Sequence, residues 1–402
     1  MDTHSLTTID TARIGTLQQR AIVIAAIGVV LGLIGVWMRP TDFLPSWLIG
    51  FLFCTGLSLG SLSLLMTQHM SGGQWGLVGR RIWEAGSRLL PYCVLLFIPV
   101  VIFLPTLYSW ARPEVVSADR TIQFKAPYLN FWFFVIRAVV YFVVWIGCSY
   151  LLSRYSAEQD RGERGVTERD TLRFRVISAP GLPIYVILMS LAAVDWIMSL
   201  DPHWYSTIFG FIIVAGQALG ALSFGVAVLT LFVGREPMNH VLKAMHFHDL
   251  GKLMLAFVML WAYFSFSQFL IIWAGNLPEE IPFYLKRFEN GWGVISLFIV
   301  LFHFALPFCL LLSRDLKRRP LLLARLAWFI VAIRLVDLIW LVAPNFSKPG
   351  TLPISLANVG IPLALAGVWL WLFAQQLGKY PLVPVNDPYF KNMLLHGHEG
   401  GH

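Results

Sequence analysis

Residues 246–280, HFHDLGKLMLAFVMLWAYFSFSQFLIIWAGNLPEE, form a stretch apolar enough to cross a bilayer that still carries ionisable side chains. At about 100° per residue, His248, Asp249, Lys252, Met259, Tyr263 and Ser267 share an arc of roughly 100°. An ionisable group at mid-membrane costs about 2.5–3.5 kcal/mol or more, so this stripe is expected to face protein or water. Two readings fit it: a proton or quinone-related path, or a packing face on which Asp249 and Lys252, at i and i+3, neutralise each other near the interface. Other apolar stretches carry charge as well. Asp195 and Arg137 lie on consecutive spans at similar depth and are expected to pair across helices. On the Arg137 span, Asn130, Arg137, Tyr141 and Cys148 fall within about 40° on the wheel. Arg334 and Asp337 sit at i and i+3, and His303 is the one histidine well inside a span. Glu84 and Arg88 hold the start of the third span, the place that Asp249 and Lys252 hold in the seventh. Each buried Asp reads equally as a register-fixing ion pair or as a proton-handling group.

Such residues must be positioned by membrane helices. Of 402 residues, 57% are hydrophobic and 13% charged, and the mean hydropathy is +0.69. These values describe an all-α polytopic membrane protein and exclude a soluble enzyme. The net charge of +8 is read as loop orientation, not as nucleic-acid affinity. The first apolar run follows Arg20 without a small-residue cleavage site, so the first span is expected to be retained.

Hydropathy gives about ten spans, near 21–37, 47–67, 89–108, 128–152, 182–200, 208–233, 249–273, 292–313, 321–342 and 356–377. The two longer loops are expected at 68–88 and 153–180. Lys and Arg are in excess on the face shared by both termini, which places both termini in the cytoplasm. The segment RYSAEQDRGERGVTERDTLRFR reads as a solvated loop or docking surface, and the tail HGHEGGH as a flexible terminus.

The chain also repeats itself. GLSLGSLSL from Gly56 and GQALGALSF from Gly216 share GxxLGxLS. Asn130 and Trp132 recur at the same separation as Asn290 and Trp292, and Asp195 precedes Pro202 by the same step as Asp337 precedes Pro344. Four intervening spans give the copies one orientation, related about the membrane normal. The expectation is two parallel-repeat four-helix bundles, spans 2–5 (residues 47–200) and 6–9 (201–345). Peripheral spans 1 and 10 belong to residues 1–46 and 346–402. The paired glycines suit close helix approach.

Some chemistries fall away. The four cysteines, Cys54, Cys93, Cys148 and Cys309, form no CxxC, CxxCH or ferredoxin-like run. Membrane haem needs facing histidines, and His69, His240, His246 and His248 cluster in loops or at helix starts. No phosphate-binding glycine loop or metal quartet appears. No covalent or metal-ligated cofactor is therefore expected in this chain.

The runs QHMSGGQWG, RRIWEAGSR, YLNFWFFVIR, AVDWIMSLDPHWYSTIFG, HDLGKLMLAFVMLWAYFSFSQFLIIWAGNLPEE and NGWGVISL resemble the integral membrane subunits of alternative complex III. Those subunits are similar to the polysulfide-reductase C, or NrfD-type, proteins. The resemblance covers roughly residues 51–342 and is greatest to the F-type of the two related ten-span subunits. It implies a subunit of a quinol-oxidising complex in a bacterial cytoplasmic membrane, non-catalytic alone. The implied partners are a paralogous ten-span subunit, an iron-sulfur protein and a multihaem cytochrome c, which would carry the iron-sulfur clusters and haem c. Quinone or quinol is the ligand it implies for the membrane region. The chain itself is cast as a scaffold with proton conduction or quinone contact. The rival classes are a stand-alone secondary transporter and a purely structural anchor.

Overall fold

The computed structural model describes residues 10–347, 353–390 and 393. Among them, ten helices are long and apolar enough to cross a membrane. They are α1 (Thr11–Met38), α2 (Pro40–Ser71), α3 (Gln74–Ile102), α4 (Phe131–Asp160), α5 (Leu172–Leu200), α6 (Phe209–Phe232), α7 (Ala244–Gly275), α8 (Trp292–Leu312), α9 (Pro320–Asn345) and α10 (Leu356–Leu377). Helices follow from the solvent: hydrocarbon offers backbone N–H and C=O no partners, so each segment must satisfy its own. Ten crossings return both ends of the described chain to one face, the terminal face. The tail HGHEGGH lies outside the described residues.

Helices α2 and α6 are buried along almost their whole lengths and pack against each other at the centre. Helices α3 and α5 pack on α2 with α4 against α3 and α5, and α7 and α9 pack on α6 with α8 against α7 and α9. The two GxxLGxLS copies meet at the central crossing. A Cβ at Gly60 would overlap the Gln217 carbonyl oxygen and Ala221, so only glycine lets the backbones approach there. Tyr185 Oη of α5 donates to Gln217 Oε1 at 2.8 Å, tying the two groups of helices together.

Helix α1 packs on α10 through small residues: Gly28 against Ala364, Gly35 against Ala357, and Gly360 against the backbone of Gly32. The spacing Gly28, Gly32 is the GxxxG pattern of membrane helix pairs. Helix α10 is less peripheral than expected, because Trp369 donates its indole N–H to Ser58 Oγ at 2.9 Å and Phe224 of α6 meets Trp369 and Phe373 edge-on. Gly360→Ala is expected to cost about 1–3 kcal/mol, since its methyl group lands on backbone that cannot yield. Gly15→Ala, on a helical site with nothing within 4 Å, is expected to be neutral or mildly stabilising. Thermal unfolding in detergent separates the two; equal shifts would show that the α1–α10 crossing tolerates a side chain.

Both long loops are shorter than expected. Residues 74–87 form a helix whose Arg80, Arg81 and Glu84 are buried, and α4 runs on to Asp160 while α5 already begins at Leu172. Hydropathy assigns such charges to water, but here they neutralise one another inside the fold. Gly72 and Gly73, at φ +68° and +93°, make the turn between α2 and α3. Helix α8 is interrupted by a π-helical segment, Val300–Ala305. Pro307 supplies the reason: it lacks an N–H, and its ring crowds the carbonyl of His303 four residues earlier.

Candidate functional site

Four polar clusters emerge from this packing. In the first group of helices, Arg137 of α4 forks onto Asp195 of α5, with Nε to Oδ2 at 2.9 Å and Nη2 to Oδ1 at 2.8 Å. The cross-helix pair expected from the sequence forms. Tyr141 Oη donates to Asp195 Oδ2 at 2.8 Å, and Arg137 Nη1 donates to the Tyr128 carbonyl at 2.9 Å. Tyr128 stacks under the guanidinium, 3.8 Å from its centre, and burial followed by the Asp195 charge pushes its phenol up to about 12. The carboxylate is thus saturated by one cation and one hydroxyl, with aromatic walls that include Trp145 and Trp196.

In the second group, Arg334 Nη1 pairs with Asp337 Oδ2 on the same helix. Gly216 makes room for the guanidinium, because a Cβ there would fall on Arg334 Cζ. A void of ≈ 10 Å³ beside Arg334, Gln217 and Gly220 is about the space one water needs. Next to the pair, His303 is 0% exposed and neither ring nitrogen has a hydrogen-bond partner. Its ring meets that of Trp261 at 4.1 Å, and Arg334 is close enough for its charge to act on it. Trp261 Nε1 of α7 is likewise buried and reaches towards Asp337. Buried polar atoms are nearly always satisfied, and the two His303 nitrogens, which have no protein partner, depart from that rule.

The third cluster lies at the terminal face, where Glu84 does not line the start of a route but closes a buried knot. It accepts from Arg80 Nε at 2.9 Å, Arg81 Nη1 at 2.8 Å and Ser156 Oγ at 2.7 Å, and Arg88 reaches it at 3.4 Å. Arg80 continues to Asp387 at 2.8 Å, and Arg81 to Asp160. Arg88 also lies over Tyr380, 4.0 Å from the ring centre. Arg80, Arg81, Asp160 and Asp387 are not among the residues expected from the sequence. The signal for part of it was there: RRxxE places both arginines within reach of one carboxylate on a helix.

The fourth is the α7 stripe, and here the expectation is corrected. Lys252 and Asp249 pair at 3.1 Å and His248 lies 3.8 Å from Asp249, but beyond them the stripe lies on the outer surface of the chain. Lys252 and Met259 are exposed, Tyr263 is 64% exposed and Ser267 is half-buried. The inward face of α7 is Met254, Val258, Trp261 and Gln268. A route from His248 through Tyr263 and Ser267 to His303, Arg334 and Asp337 is therefore not assembled within this chain. The wheel identified a face but not its direction, and the bulkier apolar residues took the interior.

On the opposite face of the molecule, Arg287 was not singled out by the sequence. It is 1% exposed and donates to the carbonyls of Phe283 at 2.8 Å, Trp340 at 3.2 Å and Leu341 at 2.8 Å. It caps the last turn of α9, where carbonyls lack helical partners. Burial lowers its guanidinium to about 9, so it remains a cation at neutral pH. Among the described residues no three His, Cys, Asp or Glu side chains gather as a metal site. No protein-family model and no curated protein matches the chain.

Proposed function

We propose that this chain is an integral membrane subunit of a quinol-oxidising electron-transfer complex of the alternative complex III type, serving as scaffold and proton-handling partner. Electrons would pass through an iron-sulfur protein and a multihaem cytochrome c, with a paralogous ten-span subunit alongside and both termini in the bacterial cytoplasm. The observation that carries the proton-handling role is the layer of His303, Trp261, Arg334 and Asp337. It combines a buried carboxylate, an imidazole without partners and a local π-turn, a feature that recurs at functional sites. The matching layer of the first bundle is saturated by Arg137 and Tyr141, which suits it to holding helices together.

Purification from native membranes in mild detergent tests the reading. Haem-bearing and iron-sulfur partners are expected to come with the chain, whereas isolation alone would favour a secondary transporter, for which the broken α8 is the supporting feature. In the assembled complex reconstituted into vesicles, His303→Leu and Asp337→Asn, which keeps an acceptor for Arg334, are expected to lower protons moved per electron, with haem content unchanged. An unchanged ratio in assembled variants would reduce the layer to packing.

A further inference from the structure

The terminal face holds a cleft of ≈ 580 Å³ between the end of α2, the start of α3, the start of α5 and the segment after α10. That size suits a small organic ligand, for which pockets run roughly 300–1,000 Å³. None of the roles above uses it.

The first turn of the 14-residue helix Gln74–Ser87 opens on this cleft. Its cap is Gly73, which has no side chain to accept from the leading N–H groups. Those groups and the helix dipole attract anions. Gly72 and Gly73 line the approach, and a Cβ at Gly72 would meet nothing within 4 Å, so the path to the backbone is open. Independently, two lining side chains lack partners: Gln68, 5% exposed, at Oε1, and His69, 9% exposed, at Nε2. An imidazole N–H donates to an anion, and the Gln68 amide presents either end by a flip. His69 is held against Phe174 at 4.6 Å between ring centres, so its orientation is fixed.

The charge balance agrees. Arg175 lines the cleft, is exposed, and makes no ion pair or hydrogen bond among the described residues. The carboxylate that lines it, Asp387, is already neutralised by Arg80 at 2.8 Å and by the N–H groups of Tyr389 at 2.9 Å and Phe390 at 3.4 Å. Phe174, Leu77 and Met393 give the same cleft an apolar wall.

We propose that this cleft binds a phosphate-bearing ligand, its phosphate over the first turn of α3 between His69 and Arg175 and its less polar remainder against Phe174 and Leu77. A phospholipid headgroup and a soluble phosphate compound share that chemistry. Binding is measured on the purified full chain by thermophoresis with inorganic phosphate and glycerol 3-phosphate, and by native mass spectrometry after exchange into micelles of phosphatidylglycerol or phosphatidylcholine. Arg175→Glu is expected to weaken phosphate or phosphatidylglycerol binding at least ten-fold, and Arg175→Lys to restore most of it. Arg164→Glu, exposed elsewhere on this face, is expected to bind as wild type. Binding of phosphatidylglycerol alone assigns the site to lipid, and binding of the soluble phosphates assigns it to a soluble ligand. Failure of all three anionic probes to bind, or wild-type affinity in Arg175→Glu, overturns the proposal.

Discussion

Glu84→Leu is expected to leave little folded protein in the membrane. Glu84 is 1% exposed and is the acceptor shared by Arg80, Arg81 and Ser156. Removing one member of a buried pair costs about 3–5 kcal/mol, because the remaining charge stays out of water without compensation. Here one carboxylate serves two buried guanidinium groups, while whole-protein stability is only about 5–15 kcal/mol. Asp387 and Asp160 retain one arginine each, which limits the damage to those contacts but leaves the centre of the knot positive. Glu84→Gln keeps the shape and an acceptor, and is expected to fall between Leu and wild type. Size-exclusion profiles and thermal unfolding in detergent report the order. A monodisperse Glu84→Leu variant melting within a few degrees of wild type would show that water reaches the knot.

The second large effect concerns Arg137 and Asp195, and its signature is non-additivity. Arg137→Met should destabilise by about 3–5 kcal/mol, since Asp195 then keeps only Tyr141. Asp195→Leu strands the guanidinium in the same way. The double variant, which removes both charges in favour of apolar volume, is expected to be more stable than either single one, as replaced buried pairs often are. Tyr141→Phe loses one hydrogen bond to a charged group and should cost about 1.5–3 kcal/mol. Unfolding midpoints of the four proteins close the cycle. Additive losses would mean that the two side chains act independently, against the bidentate geometry. The pair ties α4 to α5, so its loss should also raise hydrogen exchange at Tyr128 and Trp196, whose backbones border it.

How much of this was legible in the sequence differs from residue to residue. Arg137 and Asp195 could be paired because consecutive spans run in opposite directions and depth follows from residue count at about 1.5 Å per residue. Arg334 and Asp337 were legible because i and i+3 neighbours share a helix face whatever surrounds them. The α7 stripe was legible as a stripe and misplaced as a lining. Lys252 and Tyr263 share a face by periodicity, but which way that face turns depends on what α8 and α9 offer, and Trp261 with Val258 filled that side instead.

The sequence by itself determined the class of the molecule and its ten crossings, because hydrocarbon length and backbone satisfaction admit few solutions, whereas the meeting of the two GxxLGxLS copies came from the packing. Only tertiary structure decided which charges are inside. Arg80, Arg81 and Glu84 look like loop residues by hydropathy, and they are buried because Asp160 and Asp387, distant in the chain, balance the extra arginine charge and Ser156 adds a hydrogen bond. His303 looked like an isolated histidine. Its interest lies in what its surroundings fail to supply, and a missing hydrogen-bond partner is a property of packing that no spacing of residues records.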